Sequence, residues 1–230
     1  MKLLLTNDDG LFAPGIAALA VAAAPLGELV FVAPAEECSS CSHRVTTGKP
    51  LAVLLHGEQR YAVQALPADC VRIAKCGLAA DCTAVLSGIN YGGNLGADVY
   101  ISGTVAAVRE AALLGWPGIA LSHYVKRGQP VDWDRAARWV TPVVRDLLAR
   151  PHTPGHYWSV NLPHLGPDDP EPQVVVCPLD PNPLPVHFTQ LADGWKYDGN
   201  YHQRPRRVGS DIDVCFGGNI AVTELVLHGW

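Results

Sequence analysis

A mainly parallel α/β sheet covered by helices on both faces is the fold class that this 230-residue sequence predicts. In the first half, short apolar runs alternate with alanine-rich stretches of helical length, the rhythm of strand–helix–strand units. Three of those runs lead into polar clusters, the usual place for ligand-binding groups in such sheets. With 48% hydrophobic and 17% charged residues, the chain can bury a core, and disorder is excluded as the default.

Lys2–Thr6 is a short apolar run ending at a polar turn, a buried-strand signal. Pro14–Ala24 is alanine-rich with proline in the favoured first turn, so it reads as a helix. Leu29–Ala33 is the next strand, closed by Pro34, and Leu51–Leu55 and Tyr61–Ala65 are short strands about a His56-Gly57 turn. Pro67 opens a helix through Cys76, and Ala84–Ser87 is a strand followed by a glycine-rich loop from Gly88 to Gly103. Thr104–Leu114 is a second alanine-rich helix and Gly118–Ser122 a further strand. Residues 1–125 therefore read as a Rossmann-like core.

The second half has a different character. Asp134–Arg150 carries a helical apolar stripe, with Pro142 placed to kink it. Pro151 to Val186 holds ten of the nineteen prolines and reads as mostly irregular, with strand-like islands at Tyr157–Asn161 and Gln173–Cys177. Trp195–Tyr201 and Asn219–Thr223 are further strand candidates, and Trp195, Tyr197, Tyr201 and Trp230 suit either an interface or packing on the chain's own core. The whole chain reads as one domain, with residues 126–230 forming a C-terminal part.

Net charge is −5, and the tightest basic group is Arg204, Arg206 and Arg207. A general nucleic-acid binder needs a basic face, which this pattern lacks. No apolar run reaches the roughly 18 residues of a membrane span. The first residues reach two acids before a signal-peptide core could form, so a soluble, cytoplasmic protein without membrane partners is expected. Seven cysteines, an odd number, fit reduced thiols better than a disulfide framework. Cys38-Ser39-Ser40-Cys41 has C-x-x-C spacing but no second ligand pair, so it reads as two loop cysteines rather than a zinc site.

Three polar clusters fall at strand ends. Asn7-Asp8-Asp9-Gly10 joins two carboxylates that repel one another. A hard divalent metal would neutralise both, while a solvated turn with a helix-capping aspartate is the alternative. The loop after the second strand gathers Ser39, Ser40, Ser42 and His43: hydroxyls for a metal or phosphate, or an ordinary polar loop. His43 suits a proton donor or a structural imidazole. The third cluster runs from Ser87 to Thr104. Asn90 and Asn94 offer carbonyls to a metal or amide N–H groups to a phosphate, and Gly92, Gly93 and Gly96 allow close backbone approach. Ser102-Gly103-Thr104 opens a helix, an anion-binding arrangement. A phosphate site beside an oxygen-ligated metal is the most economical joint reading.

These residues resemble the SurE (survival protein E) family. The resemblance rests on Thr-Asn-Asp-Asp-Gly at 6–10, Val-Ala-Pro at 32–34 followed by Ser39 and His43, and Ala-Asp-Cys at 68–70. It also rests on Ser-Gly-Ile-Asn-x-Gly-x-Asn-Leu-Gly-x-Asp-Val-x-x-Ser-Gly-Thr-Val-Ala-Ala at 87–107, Val-Asn-Leu-Pro at 160–163 and Gly-Ser-Asp-Ile-Asp-Val-Cys at 209–215. Ser42 stands where the family has a glycine before the histidine, and Leu66 precedes Pro67 where Gly-Thr is common.

The resemblance implies a divalent-metal-dependent phosphatase of nucleoside 5′- and 3′-monophosphates, in some members also of polyphosphate. It implies a three-layer Rossmann-like core whose C-terminal extension carries a β-hairpin arm exchanged between subunits, making a homodimer or homotetramer. One Mg²⁺ or Mn²⁺ per subunit would be held by Asp8, Asp9, Ser39 and Asn90, and the phosphate by Asn94, Ser102, Gly103 and Thr104. In the chemistry so implied, Asp8 orients the attacking water, Asn94 steadies charge on the phosphoryl oxygens and His43 assists the leaving oxygen. A phosphatase of a non-nucleotide ester and a non-catalytic nucleotide binder are the alternatives.

Overall fold

The computed structural model describes residues 1–126 and 128–227. Trp230, one of the aromatics singled out above, lies outside the described residues. Among the described residues, eleven strands and five α-helices follow in chain order. In the first half these are β1 (Lys2–Thr6), α1 (Pro14–Ala23), β2 (Glu28–Pro34), β3 (Val53–Leu55), β4 (Arg60–Val63), α2 (Pro67–Ile73), β5 (Ala84–Tyr91), α3 (Gly103–Leu113) and β6 (Gly118–His123). The second half adds α4 (Trp133–Ala149), β7 (His156–Leu162), β8 (Val174–Val176), β9 (Phe188–Leu191), β10 (Gly194–Tyr197), α5 (Asp211–Phe216) and β11 (Ile220–Val226).

Nine strands form one sheet in the order β3-β4-β2-β1-β5-β6-β7-β11-β8, and β9 and β10 form a separate antiparallel hairpin. The run β4-β2-β1-β5-β6-β7 is parallel, as the strand–helix alternation requires, whereas β3 and β11 join antiparallel. The strand period of two explains the layers. Leu3 and Leu5 face the side covered by α1 and α4, while Leu4 faces the side covered by α2 and α3. A smaller cluster under α5 packs Ile212 and Cys215 against Leu95, Tyr124 and Cys177. The result is a three-layer α/β fold whose sheet draws strands from both sides of residue 125.

Three local differences from the sequence reading have physical causes. β5 continues to Tyr91 instead of stopping at Ser87: a bulge sets Ser87 opposite Ala120 but Asn90 opposite Ser122, three residues against two. Gly88 permits it, because a Cβ there would lie 2.1 Å from the Leu121 carbonyl oxygen. The strand expected over Trp195–Tyr201 ends at Tyr197, and Tyr201–Gln203 is a 3₁₀ turn. α5 covers Asp211–Phe216, a helix too short for a periodic apolar signal. α4 runs as one element through Pro142.

The approach of α1 to β5 is close enough to test. A Cβ on Gly15 would fall 1.8 Å from the Ile89 carbonyl oxygen, so Gly15→Ala should force the helix away from the strand that carries Asn90. A loss of about 2 kcal/mol in unfolding free energy is expected by urea denaturation, despite alanine's better helix propensity.

Candidate active site

The register of the parallel strands assembles the site. Thr6 pairs with Ser87, so the residues that follow β1 lie beside those that follow the Gly88 bulge. One strand further, Asn90 faces Ser122, and Ser122 faces Asn161. Polar groups from four strands thus meet at the same level. An open cavity of about 210 Å³ lies there, lined by Asp8, Ser39, Asn90, Asn94 and Ser102 among others.

Asp8 is the most constrained member. It is buried, and Thr104 donates to it twice: the hydroxyl to Oδ1 at 2.5 Å and the backbone N–H to Oδ2 at 3.1 Å. Gly103 lets α3 come this close, since a Cβ there would be 2.8 Å from Asp8 Oδ2 and equally near Cys41 Sγ. Burial pushes the Asp8 carboxyl up to about 6; the Thr104 hydroxyl opposes this and the Asp9 charge adds to it. Asp9 is half-buried, its Oδ2 accepts the Tyr91 N–H at 3.1 Å, and burial raises its pKa too. Among the described residues no cationic side chain pairs with either carboxylate.

The oxygen donors around this pair fit a hard cation. Asn90 Nδ2 donates to the Gly92 carbonyl at 2.8 Å, which leaves Asn90 Oδ1 as the ligand-type atom. Ser39 is exposed, and its hydroxyl donates to Glu37 at 2.5 Å with oxygen lone pairs to spare. Ser39 and Ser40 are the central residues of a turn between Cys38 and Cys41, and all seven cysteines are free thiols. Among the described residues no three His, Cys, Asp or Glu side chains cluster as a metal site, so hydroxyl and amide oxygens would have to complete any ligand set.

The phosphate set divides. Asn94 is buried; its backbone N–H donates to Asn161 Oδ1 and its Nδ2 to Ser122 Oγ, both at 2.8 Å, which leaves the second amide N–H to donate. Ser102 caps α3 by accepting the Val105 N–H at 3.1 Å and keeps its own hydroxyl proton. Thr104, expected on the phosphate, is fully buried and has both of its donors on Asp8. Of the first amides of α3, those of Thr104 and Val105 are engaged, which leaves Gly103 N–H for an anion.

Of the two roles open to His43, the geometry shows the structural one. Its Nε2 lies 2.8 Å from Glu110 on the third turn of α3, and Arg72 approaches the other Glu110 oxygen at 3.0 Å. Burial pushes the Glu110 carboxyl up, but His43 and Arg72 outweigh it and hold the group below its ordinary value. The imidazole is a staple for the 34–47 loop and does not line the cavity. Ser42 explains its own departure from glycine: its φ is +55°, and its hydroxyl donates to the Tyr100 carbonyl at 2.8 Å. Asp69 fastens the same loop, accepting the Thr46 N–H and hydroxyl.

Residues missed from sequence come from the C-terminal half. Arg204 reaches both oxygens of Asp98, at 3.1 and 3.0 Å, and donates to the Leu95 carbonyl. Tyr201 donates to Asp98 at 2.7 Å and lines the cavity with it. Asp211 accepts the Gly96 N–H at 2.8 Å. Asp98 and Asp211 stand inside motifs already noted, but no spacing rule links them to Tyr201 and Arg204, which lie more than 100 residues from Asp98.

A family model described as "Survival protein SurE" matches residues 3–182 of the chain. A protein of Nostoc sp. with a provisional 5′-nucleotidase name is 50% identical over 98% of this chain and 99% of its own length. "5′-nucleotidase SurE" of Myxococcus xanthus is 43% identical over 99% of this chain and 90% of its own. Among solved structures, the SurE protein from Aquifex aeolicus superposes with a TM-score of 0.87 at 30% identity, covering 100% of this chain and 95% of that one.

Two substitutions test the site's electrostatics. Arg204→Met strands the buried Asp98 charge and should cost about 3–5 kcal/mol in urea denaturation, and adding Asp98→Asn should restore part of the loss. For Asp8, whose folded pKa lies above its unfolded one, the metal-free fold binds the proton more tightly. Its contribution to stability is therefore greatest below about pH 4 and falls as pH rises to about 6. Asp8→Asn should be more stable than the parent above pH 6 in EDTA, by on the order of 2 kcal/mol, with the difference closing toward pH 4.

Proposed function

The chain belongs to the SurE family, and from that premise we propose that it is a metal-dependent 5′-nucleotidase, hydrolysing nucleoside 5′- and 3′-monophosphates to nucleoside and phosphate. The observation that carries this reading is buried Asp8, with no cationic partner among the described residues and Asp9 next to it in the chain, lining one cavity with Ser39, Asn90, Asn94 and Ser102. One Mg²⁺ or Mn²⁺ per subunit would be held by Asp8, Asp9, Ser39 and Asn90. When bound, it supplies Lewis-acid charge to a phosphoryl oxygen.

The chain's own groups do the rest. The free Asn94 amide N–H, the Ser102 hydroxyl and the Gly103 N–H donate to phosphoryl oxygens, where charge builds in the transition state. Thr104 holds the Asp8 carboxylate in one orientation, from which it aligns the attacking water. Arg204 cancels the Asp98 charge, so that Asp98 does not repel the incoming phosphate. Asn161 and Ser122 hold Asn94 as a positioning pair.

A homodimer or homotetramer is supported by the β9–β10 hairpin, the arm of the part beyond residue 125. Every residue of both strands is exposed, Trp195 by 67%, and among the described residues the only sheet partner of each strand is the other. Among the described residues no helix is long and apolar enough to cross a membrane. The free thiols support a cytoplasmic location.

Phosphate release from the four common nucleoside monophosphates, with Mn²⁺ and with EDTA, tests the activity: hydrolysis with metal and none with chelator is expected. Asp9→Ala should lower turnover at least a hundredfold, and near-normal turnover with added Mn²⁺ would refute the metal scheme. Sedimentation at micromolar concentration should show dimer or tetramer, and a lone monomer would remove the arm reading.

A further inference from the structure

We infer that Tyr91 stacks on the base of the bound nucleotide and so gives this site its preference for nucleotides over base-free phosphate esters. The inference rests on the nucleotidase reading and deepens it. The cavity holds about 210 Å³, below the roughly 300 Å³ at which pockets for drug-sized ligands begin. It can take a phosphate and part of a sugar, and its donors are polar. A base must therefore lie at the mouth.

Tyr91 stands there. It lines the cavity directly after Asn90 and is 58% exposed, although it ends a strand of the central sheet. Its backbone N–H is bonded to Asp9 Oδ2, so its position is tied to the acidic pair. Its ring packs against Trp133 in a tilted contact, centroid to centroid 6.5 Å at 46°, and Trp133 in turn meets His123 at 6.2 Å. A ring held in this way loses little freedom on binding, which favours a stacking contact over a mobile surface tyrosine. Ile101, 44% exposed, also lines the cavity and adds apolar surface there.

The experiment compares AMP with ribose 5-phosphate on the Mn²⁺-loaded full-length protein. Stacking of one base on one aromatic ring is worth on the order of a tenfold effect or more when the ring is truncated. Tyr91→Ala should reduce the AMP over ribose 5-phosphate selectivity in kcat/KM about tenfold, mainly through KM for AMP, and Tyr91→Trp should retain it. A selectivity unchanged in Tyr91→Ala, with both substrates slowed alike, overturns the stacking role and leaves the nucleotidase reading standing. A parent protein that cleaves other phosphate esters but not AMP overturns both.

Discussion

A carboxylate buried against the start of a helix, with no cationic side chain among the described residues beside it, is the constraint on which the site depends. Thr104 gives Asp8 two hydrogen bonds, and its backbone N–H belongs to the positive end of α3. These offset part of the cost of burying the charge, yet the carboxyl still titrates near 6. The fold thus keeps a partly satisfied anion at the carboxyl edge of its central strand. An incoming dication would gain what desolvation took away, so the burial of Asp8 sets up an electrostatic tension that a metal bound there would relieve.

The same bonds change the meaning of the helix terminus. A Ser-Gly-Thr opening after a glycine-rich loop reads as a phosphate cradle. But Thr104 faces β1 rather than solvent, and the anion most firmly held by the helix start is the protein's own Asp8. Gly103 is what allows this, since any side chain there would meet the carboxylate. In the proposed reading, the donors left for substrate are Gly103 N–H, the Ser102 hydroxyl and the free Asn94 amide N–H.

Much of the frame was legible because it obeys short-range rules. Apolar runs such as Lys2–Thr6 and Gly118–Ser122 needed only the strand period, and Asn7–Gly10 stood at a strand end as the topology demands. What escaped depends on contacts distant in sequence. The extension of β5 to Tyr91 is a pairing effect, visible only once β6 supplies the facing register and the Leu121 carbonyl fills the space at Gly88. His43 looked catalytic because it follows a polar loop. Glu110, 67 residues on, makes it a staple, and nothing local to residue 43 reveals that partner. Tyr201 and Arg204 were unreadable for the same reason, as a buried ion pair leaves no spacing signature.

Those distant contacts also join the hairpin to the chemistry. The arm strands β9 and β10 lie between Asp180, whose N–H donates to Asp211, and Tyr201 and Arg204, which clamp Asp98. Asp211 holds Gly96 and Arg204 holds Leu95, so both ends of the arm segment close on the loop that presents Asn94 and Ser102. A segment tied this way at its base cannot be pulled far without disturbing the loop. Seating the arm on a second subunit would load the clamps from outside, while binding of an anion at Asn94 would load them from within. Assembly and phosphate binding would then draw on one set of hydrogen bonds, with the buried Arg204–Asp98 pair as their shared fixed point.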